Sequence, residues 1–368
     1  MKVLGLCSYP IEAAATRFRV EQFVAPLRDA GIELTIRPFL DRRQFRGMYS
    51  DKGVFLKSFG MIPSVLKRIS DFFSASRYDL IFVQREAMFF GPAVFECLIG
   101  NITRVPMILD LDDATYIPYT SPRYGKLASA LKFFGKTDRL IEISKCVICG
   151  NRFIAEHVET KGKRAVIIPT VVDNEKFQPV ESKNIVPVIG WIGTHSTFPS
   201  LESIFPVLQR LSRKHQFVLR VVGSGQNDID LPSVEVEAPA WRLETEIEHF
   251  QSFDIGLYPI ATSSSANEDW LKGKSGFKAI QYMAVGIPFV MSPVGVCAEM
   301  GVPGKTHFDA RTPEDWYNSL DLLLTDKIRR HEMGEAALEH SLENYSLISQ
   351  TEVLARVFHE VADLVNRE

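Results

Sequence analysis

Residues 274–299 combine lysines and glycines in a spacing that suits the binding of a diphosphate. Lys274 and Lys278 stand on either side of Gly276, and Gly295 follows further along. N–H groups at a helix start and the helix dipole attract anions, and the lysine ammonium groups add positive charge. Cations are otherwise disfavoured at a helix N-terminus, so the two lysines indicate an anion site. The same groups would stabilise the negative charge that develops on a leaving diphosphate.

The elements that position these residues follow from the spacing of the apolar side chains. They predict a short helix after Gly276, a turn at Gly286, a buried strand over residues 289–292 and the start of a second helix at Gly295. Two helix starts would then flank one strand end. The N–H groups of Gly295 and Val296 would hold the same phosphates as the lysines.

A second set of polar side chains follows short apolar runs, predicted to be strands, in the first half of the chain. The set comprises Arg17, Arg19, Arg85, Glu86, Asp110, Asp112 and Asp113. Ligands collect at the carboxyl ends of parallel strands, so we expect this set to face one cleft. Arginine suits phosphate by its planar fork. Asp110 and Asp112 alternate onto one face, where they would bind a substrate hydroxyl, support the cleft or hold a metal ion; Asp113 fits a turn or a helix cap.

Two α/β domains account for the 368 residues. A strand–loop–helix–strand opening over residues 3–36 is typical of a doubly wound sheet, and the pattern restarts at Val188. No Gly-x-Gly-x-x-Gly follows the first strand, which argues against a dinucleotide cofactor. We predict an N-terminal domain over residues 1–178, a C-terminal domain over 186–345 and a last helix over about 347–368.

Composition limits the partners and the compartment. The net charge of −3 favours no polyanion, and we expect no nucleic acid partner. Five cysteines are an odd number, and Cys146 and Cys149 lie in an apolar run, so we interpret this pair as core packing and not as a disulfide or metal site. The sequence shows neither a signal peptide nor an apolar window of about 20 residues, which predicts a cytoplasmic protein.

A basic, aromatic-rich segment over residues 40–77 leaves two interpretations open. It fits contact with an anionic membrane surface or a lipid-linked ligand, and it equally fits a helical insertion with a solvated basic face. Residues 126–145 repeat the composition. We therefore expect at most a peripheral contact between the N-terminal domain and the inner face of the plasma membrane.

Short motifs are spread over most of the chain. They are Thr16–Arg19, Gln84–Glu86, Asp110–Asp113, Ile168–Asp173, Gly190–Gly193, Trp241–Glu246, Phe253–Gly256, Tyr282–Pro288 and Ser292–Gly295. In this order and spacing they resemble the GT-B glycosyltransferases, and within them the retaining glycosyltransferase family 4 (glycosyl transferase group 1). The resemblance implies two Rossmann-like domains facing a cleft, with the C-terminal helix returning to the N-terminal domain. It also implies a nucleotide-diphosphate sugar in the second domain, an acceptor in the first, and no metal.

The resemblance and the spacing together give each candidate residue a role. We expect the donor to contact Gly193, Thr194, His195, Gly223, Trp241, Gly276, Phe277, Gln281, Gly295, Val296 and Glu299. We expect the acceptor to contact Arg17, Arg19, Arg85, Glu86 and Asp112, with Lys274, Lys278 and Asp110 as catalytic residues.

The sequence departs from the family at its usual Glu-x7-Glu pair. Gly273 stands at the first position and Gln281 at the second, where an amide can still hydrogen-bond a ribose hydroxyl. Glu268, Asp269 or Glu299 would have to replace the first carboxylate.

The resulting expectation is a retaining, metal-independent, hexosyltransferase-like enzyme. It would use a UDP or GDP sugar without a cofactor and would glycosylate a hydroxyl acceptor, a lipid-linked glycan in bacterial surface polysaccharide biosynthesis. Two alternatives stay open: another GT-B-fold nucleotide-sugar enzyme such as an epimerase, and a non-catalytic GT-B binding or assembly subunit.

Overall fold

A computed structural model of the chain describes residues 1–48, 60–118, 133–226, 228–260 and 268–365. The chain divides into two compact units. The first contains Met1–Thr170, Gly273–Ser275 and Leu347–Glu368, and the second contains Val171–Lys272 and Gly276–Ser346. Gly273–Ser275, at the start of the lysine- and glycine-containing stretch 274–299, thus belong to the first unit.

The first unit is built on a sheet of six parallel strands among the described residues. They are β1 Lys2–Cys7, β2 Glu33–Pro38, β3 Leu80–Gln84, β4 Met107–Leu111, β5 Cys146–Cys149 and β6 Ala165–Ile167, in the spatial order β2-β1-β3-β4-β5-β6. β3, β4 and β5 are buried along their whole length, as strands of a parallel sheet covered on both faces must be. Cys146 and Cys149 lie in this core, and burial raises the pKa of the Cys146 thiol to about 11.

Seven α-helices precede the second sheet along the described chain. They are α1 Ala14–Arg19, α2 Val24–Asp29, α3 Arg42–Met48, α4 Ile62–Ser74, α5 Val94–Leu98, α6 Gly135–Ile143 and α7 Arg152–Thr160. The start of α7 is fixed by Asn151, whose Oδ1 accepts a hydrogen bond from the Ile154 N–H at 3.0 Å. A 3-10 turn, Ala75–Arg77, extends α4, and a π turn, Ile99–Thr103, extends α5.

The second unit repeats the design with six further parallel strands. They are β7 Val188–Ile192, β8 Val218–Val222, β9 Glu235–Glu237, β10 Ile255–Tyr258, β11 Phe289–Met291 and β12 Phe308–Asp309, in the spatial order β12-β11-β10-β7-β8-β9. Its helices are α8 Phe198–Glu202, α9 Phe205–Ser212, α10 Glu246–Gln251, α11 Glu268–Lys272, α12 Phe277–Ala284, α13 Pro313–Thr325 and α14 Lys327–Asn344. The order of the strands reverses between β7 and β10, so their carboxyl ends form the switch point where α/β sheets bind ligands.

The last helix, α15 Leu347–Val365, belongs to the first unit. Phe358 of α15 packs edge-on against Phe82 of β3, with 5.3 Å between ring centroids. The predicted fold class, two doubly wound α/β units with a returning C-terminal helix, is confirmed.

Two local predictions within residues 274–299 need correction. The predicted strand 289–292 ends one residue earlier, at Met291. The second predicted helix is a single 3-10 turn, Gly295–Ala298, which ends at Glu299 and not in a longer helix.

Part of the basic segment lies outside the described residues, namely residues 49–59, as do residues 119–132. Among the helices that the structure describes, none has both the length and the apolar composition needed to cross a bilayer.

Candidate functional site

The position of α12 in the second unit is set by Tyr282. Its hydroxyl donates to the carbonyl of Leu257 in β10 at 3.0 Å, and the carbonyl of Gly190 in β7 lies 3.3 Å away. Gly256 makes room for the ring, because a Cβ at that position would lie 2.7 Å from it. Tyr282 of the Tyr282–Pro288 motif thus holds α12 against β7 and β10, the two strands of the switch point.

The start of α12 is formed by Gly276, which has a φ of +65°. A Cβ at this position would lie 2.5 Å from the Met300 Sδ and 3.0 Å from Val296 Cγ1. Only glycine combines this backbone conformation with such close packing. Gly276 and Val296 are therefore neighbours, as the sequence predicts, and no side chain caps the helix that begins at Phe277.

Lys278 lies one residue further along α12 and reaches the end of β10. Its Nζ stands 5.1 Å from the centroid of the Tyr258 ring, a cation–π distance. Since α12 begins at Phe277, the ammonium group lies close to the helix start and adds positive charge there. This is the arrangement that an anion at the start of α12 would need.

Gln281 lies on the same helix and is buried, with 3% of its surface exposed. The backbone carbonyl accepts from the Val285 N–H, but the side-chain Nε2 has no hydrogen-bond partner within the described residues. An unsatisfied buried amide costs about 1–3 kcal/mol and is rare in native proteins. Within the part of the chain that the structure describes, this amide therefore has N–H groups that a ligand oxygen could accept from.

Five predicted donor residues lie at the ends of β7 and β8: Gly193, Thr194, His195, Gly223 and Trp241. A Cβ on Gly223, which has a φ of +78°, would lie 2.6 Å from the Gly193 carbonyl oxygen and 2.9 Å from Trp241 Cβ. A Cβ on Gly225 would lie 3.8 Å from His195 Cβ. The loop that follows Gly193 is closed by its own side chains, with 2.8 Å between Thr194 Oγ1 and Ser196 Oγ.

Gly295 and Glu299 bracket the 3-10 turn after β11. Gly295 has a φ of +59°, and a Cβ there would lie 2.6 Å from the backbone of Lys272, so it packs against the end of α11. Glu299 is exposed, and its N–H donates to the Val296 carbonyl at 2.9 Å. Asp269, a suggested replacement for the missing carboxylate, accepts from Lys272 Nζ at 2.9 Å; of Glu268 only the position at the start of α11 is described.

The segment Gly273–Ser275 packs within the first unit. A Cβ on Gly273 would lie 2.2 Å from Ala114 Cβ, and the Lys274 carbonyl accepts from Asn151 Nδ2 at 3.1 Å. A glutamate at position 273 therefore has no space in this backbone arrangement. The departure from the family carboxylate thus follows from the close approach of Gly273 to the loop after β4.

Arg19 and Asp110 in the first unit form a buried ion pair. Arg19 Nε donates to Asp110 Oδ2 at 3.1 Å, Nη2 donates to Oδ1, and Nη1 donates to the Ile168 carbonyl at 2.8 Å. Only 1% of the Asp110 surface is exposed. Burial raises the pKa of the Asp110 carboxyl, and Arg19 offsets part of that rise. Arg19, a predicted acceptor contact, and Asp110, a predicted catalytic residue, thus bind each other.

Arg85 holds the other two carboxylates that follow β4. It has a φ of +59°, and its Nε and Nη2 donate to the two Asp112 oxygens at 2.5 and 2.7 Å. Nη2 also donates to Asp113 Oδ2 at 2.5 Å. Burial acts to raise the pKa of Asp112, but Arg85 outweighs it and holds that pKa below its ordinary value.

Arg17 and Glu86 are half-buried at the same strand ends. Arg17 Nη1 donates to the Ile11 and Glu12 carbonyls at 3.1 and 3.4 Å. Glu86 Oε2 lies 3.5 Å from the buried Lys136 Nζ. Within the described residues, no group of three His, Cys, Asp or Glu side chains is placed to hold a metal ion.

Three contributors to these arrangements have no signal in the sequence. Ala114 and Asn151 hold residues 273–275 from more than a hundred positions away, and Tyr258 meets Lys278 across the switch point. A search for apolar or polar periodicity cannot join such distant positions.

Comparison with known proteins places these features in a class. Two Rossmann-like units with this strand order define the GT-B fold. Solved structures with this fold align with 98% of the chain. Residues 186–326 match the family model described as "Glycosyl transferases group 1". The chain accordingly has the GT-B fold, and most of its second unit matches the glycosyl transferases group 1 model. No curated protein sequence gives a significant match.

Three solved structures illustrate the likeness. Anabaena Alr3699/HepE in complex with UDP has a TM-score of 0.69 at 15% identity and covers 98% of this chain and 100% of its own. Sucrose-phosphate synthase from Thermosynechococcus elongatus has a TM-score of 0.68 at 13% identity, covering 98% and 99%. The lipopolysaccharide outer core galactosyltransferase WaaB has a TM-score of 0.60 at 12% identity, covering 98% and 100%. At this level of identity the likeness is one of fold.

Proposed function

We propose that the second unit binds a nucleotide-diphosphate sugar of the UDP or GDP type at the carboxyl ends of β7, β8, β10 and β11. The observation that carries the proposal is the buried, unsatisfied Nε2 of Gln281, one turn inside a helix whose start has no side-chain cap. The amide would donate to a ribose hydroxyl. The diphosphate would lie at the start of α12, near Lys278 and the turn at Gly295 and Val296.

Lys274 and Lys278 would stabilise the diphosphate as it leaves. The acceptor hydroxyl oxygen forms a bond to the anomeric carbon on the face from which the diphosphate departs, so the configuration is retained. The bond from that carbon to the diphosphate oxygen breaks, and a donor phosphate oxygen takes the hydroxyl proton. The step needs no metal, redox partner or protein nucleophile.

The acceptor would be a lipid-linked glycan of bacterial surface polysaccharide biosynthesis, met at the cytoplasmic face of the membrane. WaaB, which shares the fold, is a lipopolysaccharide outer core galactosyltransferase. HepE, another fold relative, is known in complex with UDP and with UDP-glucose. Arg17 and Glu86 would contact this acceptor, while Arg19, Asp110, Arg85 and Asp112 would hold the loops that carry it.

A thermal-shift screen with UDP, GDP, ADP and TDP tests the donor site. We expect one of the four to raise the Tm, and Lys278→Ala to weaken that nucleotide by about tenfold. Lys305→Ala, an exposed lysine of the same unit that is not among the predicted donor residues, is the control and should bind as the wild type does. If none of the four raises the Tm, the proposed donor site is wrong.

A second candidate function is nucleotide-sugar binding without transfer. It is favoured by one contact, the approach of Gly273 to Ala114, which leaves no space for the family's first carboxylate. Release of free nucleoside diphosphate separates the two functions. Release that requires a hydroxyl acceptor supports transfer; a Tm increase without any release supports the binding subunit.

A further inference from the structure

Helix α4 of the first unit presents its apolar side to solvent. Its exposed apolar side chains are spaced by three and four residues, which places them on one face: Ile62, Leu66, Ile69 and Phe73. Phe73 is 73% exposed. The opposite face buries polar side chains, Ser64, Arg68 and Asp71. A surface helix of a globular protein normally has the reverse arrangement.

Buried hydrogen bonds of Arg68 fix α4 in this orientation. Its guanidinium donates to the Cys7 carbonyl at 2.8 Å, to the Ala87 carbonyl at 2.9 Å and to Asp71 Oδ2 at 2.8 Å. Rolling α4 over to bury its apolar side chains would break the bonds to the Cys7 and Ala87 carbonyls and would cost several kcal/mol. The exposure of the apolar side chains of α4 therefore follows from the hydrogen bonds that Arg68 makes.

Helix α5 and the π turn after it also present apolar side chains to solvent, although they bury Phe95 and Ile99 as well. Val94, Leu98 and Ile102 are exposed at a spacing of four, while Glu96 is 1% exposed. Glu96 Oε1 accepts from the Ala87 N–H at 2.9 Å, so Arg68 and Glu96 anchor their helices to the same residue. Residues 75–77 after α4 also contact residues 99–103 after α5. The two apolar stripes are therefore neighbours, and together they form what we term the apolar face.

Exposed cations outnumber exposed carboxylates around the apolar face, where Asp41 and Asp79 carry the opposite charge. Within residues 42–47, 62–77 and 94–104, every exposed charged side chain is a cation: Arg42, Arg43, Arg46, Lys67, Arg77 and Arg104. The two carboxylates of these segments, Asp71 and Glu96, are buried. α3, which carries three of the cations, is joined to α4 by a 3.0 Å hydrogen bond from Ser64 Oγ to Gln44 Oε1.

We propose that the apolar face docks on an anionic lipid bilayer. Apolar side chains from two helices would enter the acyl boundary, and the surrounding cations would lie among anionic headgroups, as in interfacial helices. A second copy of the chain fits less well, because it would bring like charges together. The proposal deepens the proposed function by naming the surface at which a lipid-linked acceptor is met, and it rests on that function.

Vesicle flotation of the full chain tests the docking without any sugar. We expect the protein to float with vesicles of phosphatidylcholine and phosphatidylglycerol, to float less with phosphatidylcholine alone, and to be released by high salt. The double variant Leu66→Ser/Phe73→Ser should reduce the bound fraction by about tenfold. Ile328→Ser on α14, a residue that is also 73% exposed but lies in the second unit, is the matched control and should bind normally.

Two results would overturn the docking proposal. One is a wild type that does not float with anionic vesicles; the other is a double variant that floats as well as the wild type. If the double variant instead converts a dimer to a monomer on gel filtration without changing flotation, the face is a contact between copies. Nucleotide binding is measured separately by thermal shift, so a failure of docking and a failure of the donor site are distinguishable.

Discussion

Both units carry polar groups at the carboxyl ends of their parallel strands, but the two regions are satisfied in opposite ways. In the first unit, Arg19 neutralises Asp110 and Arg85 neutralises Asp112. In the second unit, the corresponding region has glycines at positive φ and the buried amide of Gln281, whose Nε2 has no partner among the described residues. The charged groups at this topological position are thus paired in the first unit, whereas the Gln281 amide of the second unit lacks a partner among the described residues.

This difference shows which polar residues at a strand end are available to a ligand. A buried guanidinium and carboxylate form a strong pair that leaves neither group for a substrate. A buried neutral amide left unpaired costs about 1–3 kcal/mol, and it regains its hydrogen bond when a ligand arrives. We therefore expect Gln281 to be a better candidate for ligand contact than the paired charges of the first unit.

The largest effect should come from removing the buried Arg19–Asp110 ion pair of the first unit. Arg19→Met leaves Asp110 buried without its partner, and we expect the free energy of unfolding to fall by about 3–5 kcal/mol in urea denaturation. Arg210→Met removes an exposed ion pair, in which Arg210 Nη1 lies 2.6 Å from Glu314 Oε2. It should lower the free energy of unfolding by less than about 1 kcal/mol. If Arg19→Met keeps full stability but loses turnover, Arg19 contacts substrate and the comparison fails.

The next largest effect should come from adding a side chain at Gly276, where α12 of the second unit begins. Gly276→Ala places a Cβ at a φ of +65° and 2.5 Å from Met300 Sδ. We expect a loss of roughly 2–3 kcal/mol together with weaker nucleotide binding, since the start of α12 must shift. Gly304→Ala, with a φ of +79° and open space around its Cβ, should cost only about 1 kcal/mol and leave binding unchanged. Equal losses in the two variants would show that packing at Gly276 is unimportant.

Much of this organisation was predictable from the sequence, because it depends on local patterns. Apolar runs predict the strands, and the glycine at position 276 predicts the start of α12, because a helix that begins after a left-handed residue needs one. The second predicted helix, at Gly295, is only a 3-10 turn, and no local signal distinguishes the two.

The pairing of charges was not predictable. Arg19 and Asp110 are 91 residues apart, and Arg85 and Asp112 are 27 apart, so nothing local shows that each carboxylate is already neutralised. The inverted orientation of α4 also depends on distant carbonyl groups, those of Cys7 and Ala87. Sequence placed the polar residues at the strand ends correctly and could not show which of them were left for a ligand.

A smaller effect should come from replacing Gln281, because its unpaired amide lowers stability and is also proposed to bind the nucleotide. Gln281→Leu removes the unpaired amide, so the free energy of unfolding should stay equal or rise by about 1 kcal/mol. Nucleotide affinity should fall by about tenfold, because the ribose loses a hydrogen bond. Met283→Leu, at a buried position of the same helix, is the control for packing and should change neither quantity. A Gln281→Leu protein that binds nucleotide normally would show that the amide faces no ligand.

The smallest effect should appear when the pH falls, and it should arise in the second unit. His307 is buried against Phe289 of β11, and burial lowers its pKa from the ordinary value of 6.5 although Asp309 acts to raise it. Below about pH 6.5 the unfolded chain binds a proton that folded His307 resists, so its contribution to stability is lost as the pH falls. Asp112, whose pKa Arg85 holds low, keeps its contribution until the pH falls below the ordinary aspartate value of 3.8. His307→Gln should therefore flatten the decline in the free energy of unfolding between about pH 7 and pH 5, and His359→Gln on α15 should not. An equal decline in all three proteins would assign the loss to other groups.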